Sequence, residues 1–290
     1  MITILLIVLG IITTLYFLYF AWDWHKHRNL IEGKRLPALG SIGFGTNFFD
    51  TLGIGSFAPT TSFFKFLHLV DDKDIPGTLN VGHALPVIAQ AFIFIAIVDV
   101  ETVTLISLLI SSVAGAVLGA GIVSKLPEKA IQFGMGFALL AVAIALLAGL
   151  LNLYPTGGDA VGLQEWKLLS AIVSTFILGS LMTIGVGFYA PCMALVYALG
   201  MSPLAAFPIM MGACAFLMPA AGGKFIKEKA YNRNAAMALT VGGIPGVLIA
   251  AYLVTSIDLL YLKWIVLGVI FYTSFMMFKS GIGKKRSEPS

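Results

Sequence analysis

The sequence predicts an all-α protein that crosses a membrane several times. Of its 290 residues, 59% are hydrophobic and 11% are charged, against roughly 25% charged residues in an average soluble domain. Mean hydropathy is +0.96, and the apolar runs are long enough to span a bilayer as helices. This composition excludes a soluble globule. The 18 Lys and Arg cluster mainly in short segments between apolar runs, which is typical of a membrane face and not of a nucleic-acid-binding surface.

Seven apolar runs have the length of one transmembrane helix. The first has no basic residue before it and no small-residue cleavage site after it, so we interpret it as a retained span and not as a signal peptide. Basic residues follow it in segment 26–35, so the positive-inside rule predicts an outside N-terminus and a cytoplasmic C-terminus in the inner (plasma) membrane. The runs are 2–21, 78–98, 102–123, 130–151, 203–221, 235–254 and 259–278.

Two longer stretches, 38–68 and 168–200, are interrupted by Gly and Pro and contain related motifs. Gly53-Ile-Gly-Ser-Phe-Ala-Pro59 and Gly185-Val-Gly-Phe-Tyr-Ala-Pro191 agree at four of seven positions. A weaker sequence match, at nearly the same separation, relates the segments around Gly115 and Gly246. These matches predict an internal duplication. The predicted units are an added span and cytoplasmic loop (1–37), a first repeat (38–152), an external loop (153–165), a second repeat (166–280) and a cytoplasmic tail (281–290).

The distribution of basic residues favours one of two topologies for the interrupted stretches. If both stretches cross the membrane, the chain has nine spans and parallel repeats, and 5 of its 18 Lys and Arg lie outside. If both are re-entrant hairpins made of broken helices, only Lys167 and Lys263 lie outside, and the repeats are inverted. The positive-inside rule therefore favours seven transmembrane helices with two hairpins, a recurring transporter design.

The Gly-x-Gly-x-x-Ala-Pro motif predicts a helix break that can bind an anion. Glycine tolerates non-helical dihedral angles, and proline suits the first turn of a new helix. The unpaired N–H groups and the positive dipole end of that helix favour a small anion. Two such helix ends from inverted repeats are expected to meet near the midplane. The alternative is that glycine and proline serve only packing and kinks.

Polar residues near the breaks complete the predicted substrate site. Asn80, His83 and Gln90 lie at i, i+3 and i+10, on one face of a span, and such a face normally points to the bundle interior or a cavity. Ser and Thr near the breaks have a second interpretation, since they can bond the backbone groups that a break frees. The predicted substrate-binding residues are Asn47, Thr51, Gly53, Gly55, Ser56, Asn80, His83, Thr183, Gly185, Gly187 and Tyr189.

Asp50 and His83 are the candidates for coupling transport to protons. A carboxylate repels a nearby anion unless it is protonated, and a charged histidine attracts one. The structural alternative is that Asp50 accepts hydrogen bonds at the break and that His83 is held neutral by Asn80 or Gln90. Both interpretations remain open at this stage.

The paired breaks and the repeated four-segment unit resemble the TauE/SafE family of sulfite exporters and organosulfonate permeases, which includes the 4-toluenesulfonate uptake permeases. The resemblance covers residues 38–280 and is strongest at Gly53-Ile-Gly55 with Pro59 and at Gly185-Val-Gly187 with Pro191. Many members have a longer glycine run before the proline, where this chain has Ser-Phe-Ala and Phe-Tyr-Ala. The resemblance implies transport of a small sulfur-containing anion, with the motifs facing it.

The leading hypothesis is a secondary transporter that works by alternating access, with a small sulfur anion and the lipid bilayer as its partners and with no cofactor and no metal. No Walker A motif is present, so an ion, proton or substrate gradient supplies the energy. An anion channel is the alternative. An intramembrane enzyme is disfavoured, because HExxH and GxSxG are absent and Asp50 is the one acid well inside an apolar segment. The oligomeric state is left open.

Overall fold

A computed structural model describes residues 2–27, 35–96, 98–153, 158–185, 187–253 and 260–282. Across these residues the chain is all-α, with one isolated β-bridge between Ala160 and Met201. The helices are α1 (Ile2–Lys26), α2 (Leu36–Thr51), α3 (Phe57–Leu67), α4 (Ile75–Gly82), α5 (Ala84–Ile95), α6 (Thr102–Val123), α7 (Glu128–Leu150), α8 (Glu165–Met182), α9 (Tyr189–Ala198), α10 (Ala206–Glu228), α11 (Arg233–Leu253) and α12 (Leu260–Ile282).

Helices α4 and α5 form one kinked span. Pro86 has no N–H group to donate to the carbonyl of Gly82, so the helix loses one bond at this point. The hydroxyl of Thr240 on α11 replaces that bond, donating to the Gly82 carbonyl over 2.7 Å. The backbone bonds on either side, from His83 N–H to Leu79 and from Val87 N–H to His83, remain. The polar kink is therefore satisfied inside the protein.

Six helices of the described part of the chain are long and apolar enough to cross a membrane: α1, α4–α5, α6, α8, α10 and α11. Helices α7 and α12 have 23 residues each, about 35 Å at 1.5 Å per residue, which is also enough. Helix α8 is long enough to span the membrane, although the sequence predicts that its residues form half of a hairpin. Its contacts decide between a full span and a hairpin.

Both interrupted stretches return to the face from which they start. The Arg35 guanidinium, before α2, donates to the carbonyl of His68, after α3, over 2.6 Å. The Lys167 ammonium, at the start of α8, donates to the carbonyl of Leu199, after α9, over 3.0 Å. Arg35 and Lys167 occupy equivalent positions in the two repeats. The α2–α3 and α8–α9 units are therefore hairpins, and the nine-span alternative is wrong.

The two hairpins enter from opposite faces. One face, which we call the charged face, contains the Asp23–Arg233 and Lys65–Asp72 ion pairs and the bond from Gln132 to Asp72. The first hairpin starts there. The other face holds the segments around 101, 160 and 201, linked by backbone bonds, and the second hairpin starts there. The two repeats are therefore inverted, as predicted.

Inversion is visible in the helix pairs. Helix α2 packs on α11 and α8 packs on α6, α3 contacts α12 and α9 contacts α7, and α5 meets α10 between them. Glycines permit the closest approaches: Gly115 on α6 faces the carbonyl of Phe176, and Gly246 on α11 faces the carbonyl of Phe44. These contacts explain the weaker sequence match between the segments around Gly115 and Gly246. Close backbone packing at small residues stabilises helix pairs in membranes, where no hydrophobic effect acts between helices.

Replacing Gly115 with alanine is expected to destabilise the α6–α8 pair, because the added methyl group would overlap the carbonyl oxygen of Phe176. Overpacking of this kind costs about 1–3 kcal/mol. Gly121→Ala is the matched control, since the space beside Gly121 on the same helix is open. Thermal unfolding of the purified protein should show a lower Tm for the first variant and little change for the second. An equal Tm for both variants would contradict this packing.

Candidate functional site

The helix breaks need glycine. Helix α2 ends at Thr51 and α3 begins at Phe57, and in between Gly53 and Gly55 have φ of +86° and +90°. In the second hairpin, Gly185 has φ of +100°. Residues with a Cβ adopt this left-handed region only at a cost of roughly 1–2 kcal/mol. Gly53, Gly55 and Gly185 are thus required by the turns that end one helix and start the next.

Both breaks border one small cavity at the centre of the protein. Its interior has room for about one water molecule. The first break contributes Gly55, Ser56 and Phe57, and the second contributes Gly187, Phe188 and Tyr189; Asp50, Val87, Met182, Cys214 and Met218 complete the lining. The structure thus brings the two breaks together. Helices α3 and α9 begin beside the cavity, so the positive ends of two helix dipoles lie there.

A chain of buried polar side chains borders the cavity. Gln90 on α5 donates from Nε2 to Asp50 Oδ2 over 2.7 Å and to Thr51 Oγ1 over 3.2 Å. The Tyr189 hydroxyl donates to Gln90 Oε1 over 2.8 Å and also contacts the Asp50 carboxyl group. Ser56 donates to Asp50 from its hydroxyl and its backbone N–H. Asp50 is 2% exposed, and none of the salt bridges among the described residues includes it. Neutral donors alone therefore support this carboxyl group.

One wall of the cavity is apolar and rich in sulfur. Met182, Cys214 and Met218 line it, with the Cys214 thiol 3.7 Å from the Met182 sulfur. Met182 occupies the position in the second repeat that Asp50 occupies in the first. The scaffold is therefore symmetric while the chemistry of its site is not.

His83 lies beside the cavity lining and not in it. Its Nδ1 is 3.1 Å from Asn47 Oδ1 and its Nε2 is 3.1 Å from Thr60 Oγ1. Asn47 uses its Nδ2 to donate to the carbonyl of Gly43, so its Oδ1 accepts from His83 Nδ1–H. The prediction that Asn80 or Gln90 bonds His83 is wrong. Through Asn47 and Thr60, His83 instead connects α2 and α3 to the kinked span. Its Phe57 neighbour, at 5.8 Å between ring centroids, separates it from the cavity.

The remaining predicted residues surround the site without lining the cavity. Asn80 is buried, donates to the carbonyl of Pro76 and leaves its Oδ1 unbonded. The hydroxyls of Thr51 and Thr183 donate to backbone carbonyls within their own helices, the structural role that sequence reasoning offered as the alternative. Gly53 packs near Phe207, and Gly185 packs near Met135. Of these five residues, Thr51, Gly53, Thr183 and Gly185 shape the two breaks.

Sequence reasoning missed several residues of the site. Gln90 was recognised as part of a polar face but not as the link between the breaks. Met182 carries a signal only through the repeat alignment with Asp50. Cys214 and Met218 carry none, because an apolar side chain in an apolar helix is indistinguishable from ordinary packing.

Comparison with known families adds a decisive match. Residues 2–146 match the family described as Sulfite exporter TauE/SafE. The chain belongs to the TauE/SafE family. The matched residues include α1, the first hairpin with its Gly53–Pro59 break, the kinked α4–α5 span and α6. No curated protein matches the chain. A TauE/SafE protein is a membrane transporter of the sulfite-exporter type, which agrees with the multi-pass fold.

Proposed function

We propose that this TauE/SafE protein is a secondary transporter of small sulfur-containing anions, sulfite or organosulfonates, and not an enzyme. One observation supports the proposal above all: two helix N-termini, from inverted repeats, begin at one central cavity. Helix ends bind oxyanions without a buried cation, because their N–H groups are already oriented. Ser56 and Tyr189 line the same cavity; their hydroxyls donate to Asp50 and Gln90 in this structure and become donors to sulfite or sulfonate oxygens when those bonds are exchanged.

Alternating access accounts for the size of the cavity. Its interior has room for about one water molecule, less than a sulfite ion needs, so the substrate must enter after the hairpins separate on one side. Inverted repeats support two such openings, one to each face, by exchanging the conformations of the two halves. In this proposal the inner membrane holds the protein, and an existing gradient drives transport.

The proposed substrate-binding residues act in two groups. Gly55, Ser56, Gly187 and Tyr189 line the cavity and contact the anion directly. The others hold the breaks in position: Asn47, Thr51, Gly53, Asn80, His83, Thr183 and Gly185.

Gly55→Ala is expected to weaken transport. Space beside Gly55 is open and Gly55 lines the cavity, so the added methyl group would fill the anion site. Gly53→Ala is the matched control, since Gly53 has a similar left-handed φ of +86° and therefore carries the same backbone strain, but does not line the cavity. Labelled sulfite uptake into proteoliposomes should show at least about a tenfold higher KM for Gly55→Ala, the loss of roughly one good contact. Equal KM values for both variants would refute this placement of the substrate.

The same uptake assay distinguishes a transporter from a channel, because a transporter shows saturable uptake and counterflow.

Asp50 is the proposed coupling residue, and His83 has the supporting role. Asp50 lines the cavity, whereas both ring nitrogens of His83 are occupied by Asn47 and Thr60. A charged Asp50 repels the anion, and a proton on it removes the repulsion. Anion and proton therefore bind together.

Asp50→Asn is expected to remove the pH dependence of uptake, and His83→Gln is expected to preserve it. The wild-type uptake rate should fall as pH rises through the titration of Asp50, since a charged carboxylate opposes anion binding. We would measure proteoliposome flux from about pH 5 to 8, with folding checked by size-exclusion chromatography. A wild-type profile in a folded Asp50→Asn variant would exclude Asp50, and a flat profile in His83→Gln would transfer the role to His83.

The charged face is proposed to be cytoplasmic, because the segments 65–73, 125–129 and 224–233 carry many of the basic residues. Cysteines introduced at Lys73 and Lys129 should react with a membrane-impermeant maleimide only from the cytoplasmic side. A cysteine at Asp159, on the opposite face, should react from outside. The two native cysteines are buried, so their background labelling is low. Labelling of Lys73 variants from outside would reverse the orientation.

A further inference from the structure

Gln90 joins the two helix breaks through a single side-chain amide. Its Nε2 donates to Asp50, at the end of α2, over 2.7 Å. Its Oε1 accepts from the hydroxyl of Tyr189, at the start of α9, over 2.8 Å. All three side chains are buried, with Gln90 0%, Asp50 2% and Tyr189 4% exposed. The amide therefore connects a group of the first repeat with a group of the second.

The charge on Asp50 fixes the orientation of this amide. A carboxylate only accepts hydrogen bonds, so the NH₂ group of Gln90 must face Asp50 and its oxygen must face Tyr189. Tyr189 has one proton, and Gln90 Oε1 and the neighbouring Asp50 carboxylate are its two acceptors. In this state Tyr189 lines the cavity, but its hydroxyl has no proton to offer an anion.

Protonation of Asp50 reverses the arrangement. A carboxylic acid is a donor, and the nearby acceptor is the Gln90 oxygen once the amide turns by half a rotation about its terminal torsion, which is broad and nearly two-fold. The NH₂ group then donates to the phenolic oxygen of Tyr189. The Tyr189 hydroxyl keeps its proton and is now free to donate it in a hydrogen bond to a sulfite or sulfonate oxygen in the cavity. One proton is added to Asp50, and no proton leaves Gln90 or Tyr189.

We propose that Gln90 is a positioning residue that converts proton binding at Asp50 into anion binding at Tyr189. The inference rests on the proposed transport function and adds the route by which the proton and the anion are coupled. We call the connected side chains Asp50, Gln90 and Tyr189 the relay. The proposal also explains why one repeat carries the carboxyl group and the other the phenol, since each break supplies one end of the relay.

The other titratable groups around Asp50 do not replace this link. Cys214 on α10 lines the same cavity, and Cys192 on α9 lies near it; both are thiols, which stay neutral without a positive neighbour. His83, on the kinked span, is bonded to Asn47 and Thr60. Ser56, just before α3, donates to Asp50 and does not titrate. The ion pairs of the described residues lie at the charged face, on Asp23 and Asp72.

The test is the effect of Tyr189→Phe on the KM for labelled sulfite at two pH values. At about pH 5.5 the hydroxyl is available to the anion, and its removal should raise KM at least about tenfold, as loss of a hydrogen bond to a charged group does. At about pH 8 the hydroxyl is committed to Gln90, and the change should stay below about twofold. Sulfite itself titrates equally for every variant, so the difference between variants reports on the protein. Tyr197→Phe, on the same helix but outside the cavity lining, should change KM less than about twofold at both pH values.

A double-mutant cycle isolates Gln90. In a Gln90→Leu background the effect of Tyr189→Phe should be the same at both pH values, because no amide transmits the state of Asp50. A pH-dependent effect in this background would assign the link to the direct Tyr189–Asp50 contact and overturn the role of Gln90. If Gln90→Leu does not fold, the Asp50→Asn background gives the same expectation. A pH-independent effect of Tyr189→Phe in the otherwise wild-type protein would overturn the relay and leave the transport proposal standing. Absence of saturable sulfite uptake by the wild type at either pH would overturn both.

Discussion

The rest of the structure depends on one constraint: backbone N–H and C=O groups inside a bilayer must find partners within the protein. This chain breaks two helices in its interior, at Gly53–Ser56 and near Gly185. Those breaks are tolerated because they face each other across a cavity and are enclosed by packed helices. Thr51 and Thr183 bond carbonyls beside the breaks, and Thr240 does the same at the Pro86 kink. The groups that a soluble protein leaves to water are here directed at one another and, in our proposal, at an anion.

A symmetric scaffold carries an asymmetric site. Helix pairs, the positions of the breaks and the basic residue that closes each hairpin recur at equivalent positions of the two repeats. The side chains at the cavity do not recur, since Asp50 corresponds to Met182. In our proposal, symmetry provides two equivalent openings, one to each face, and the asymmetry lets a single carboxyl group serve both as one coupling site.

Much of this architecture could be predicted from the sequence, because apolar runs of the length of a membrane span and a repeated glycine motif are strong signals. The distribution of Lys and Arg favoured the hairpins over nine spans, and the Arg35–His68 and Lys167–Leu199 contacts agree. The partners of His83 could not be predicted, since Asn47 and Thr60 lie on other helices and reach it only through tertiary packing. Helix α8 shows a further limit: its length fits a full span, and only the return of α9 identifies it as half of a hairpin.

The central claim is that the two breaks form one anion site between the repeats. A high-resolution structure of the protein in a lipid bilayer with sulfite tests it most directly. We predict the anion between the first turns of α3 and α9, with its oxygens about 2.7–3.1 Å from the Tyr189 hydroxyl and from backbone N–H groups of both helices. Sulfite bound at one break alone, or at the charged face beside Arg233, would contradict the account.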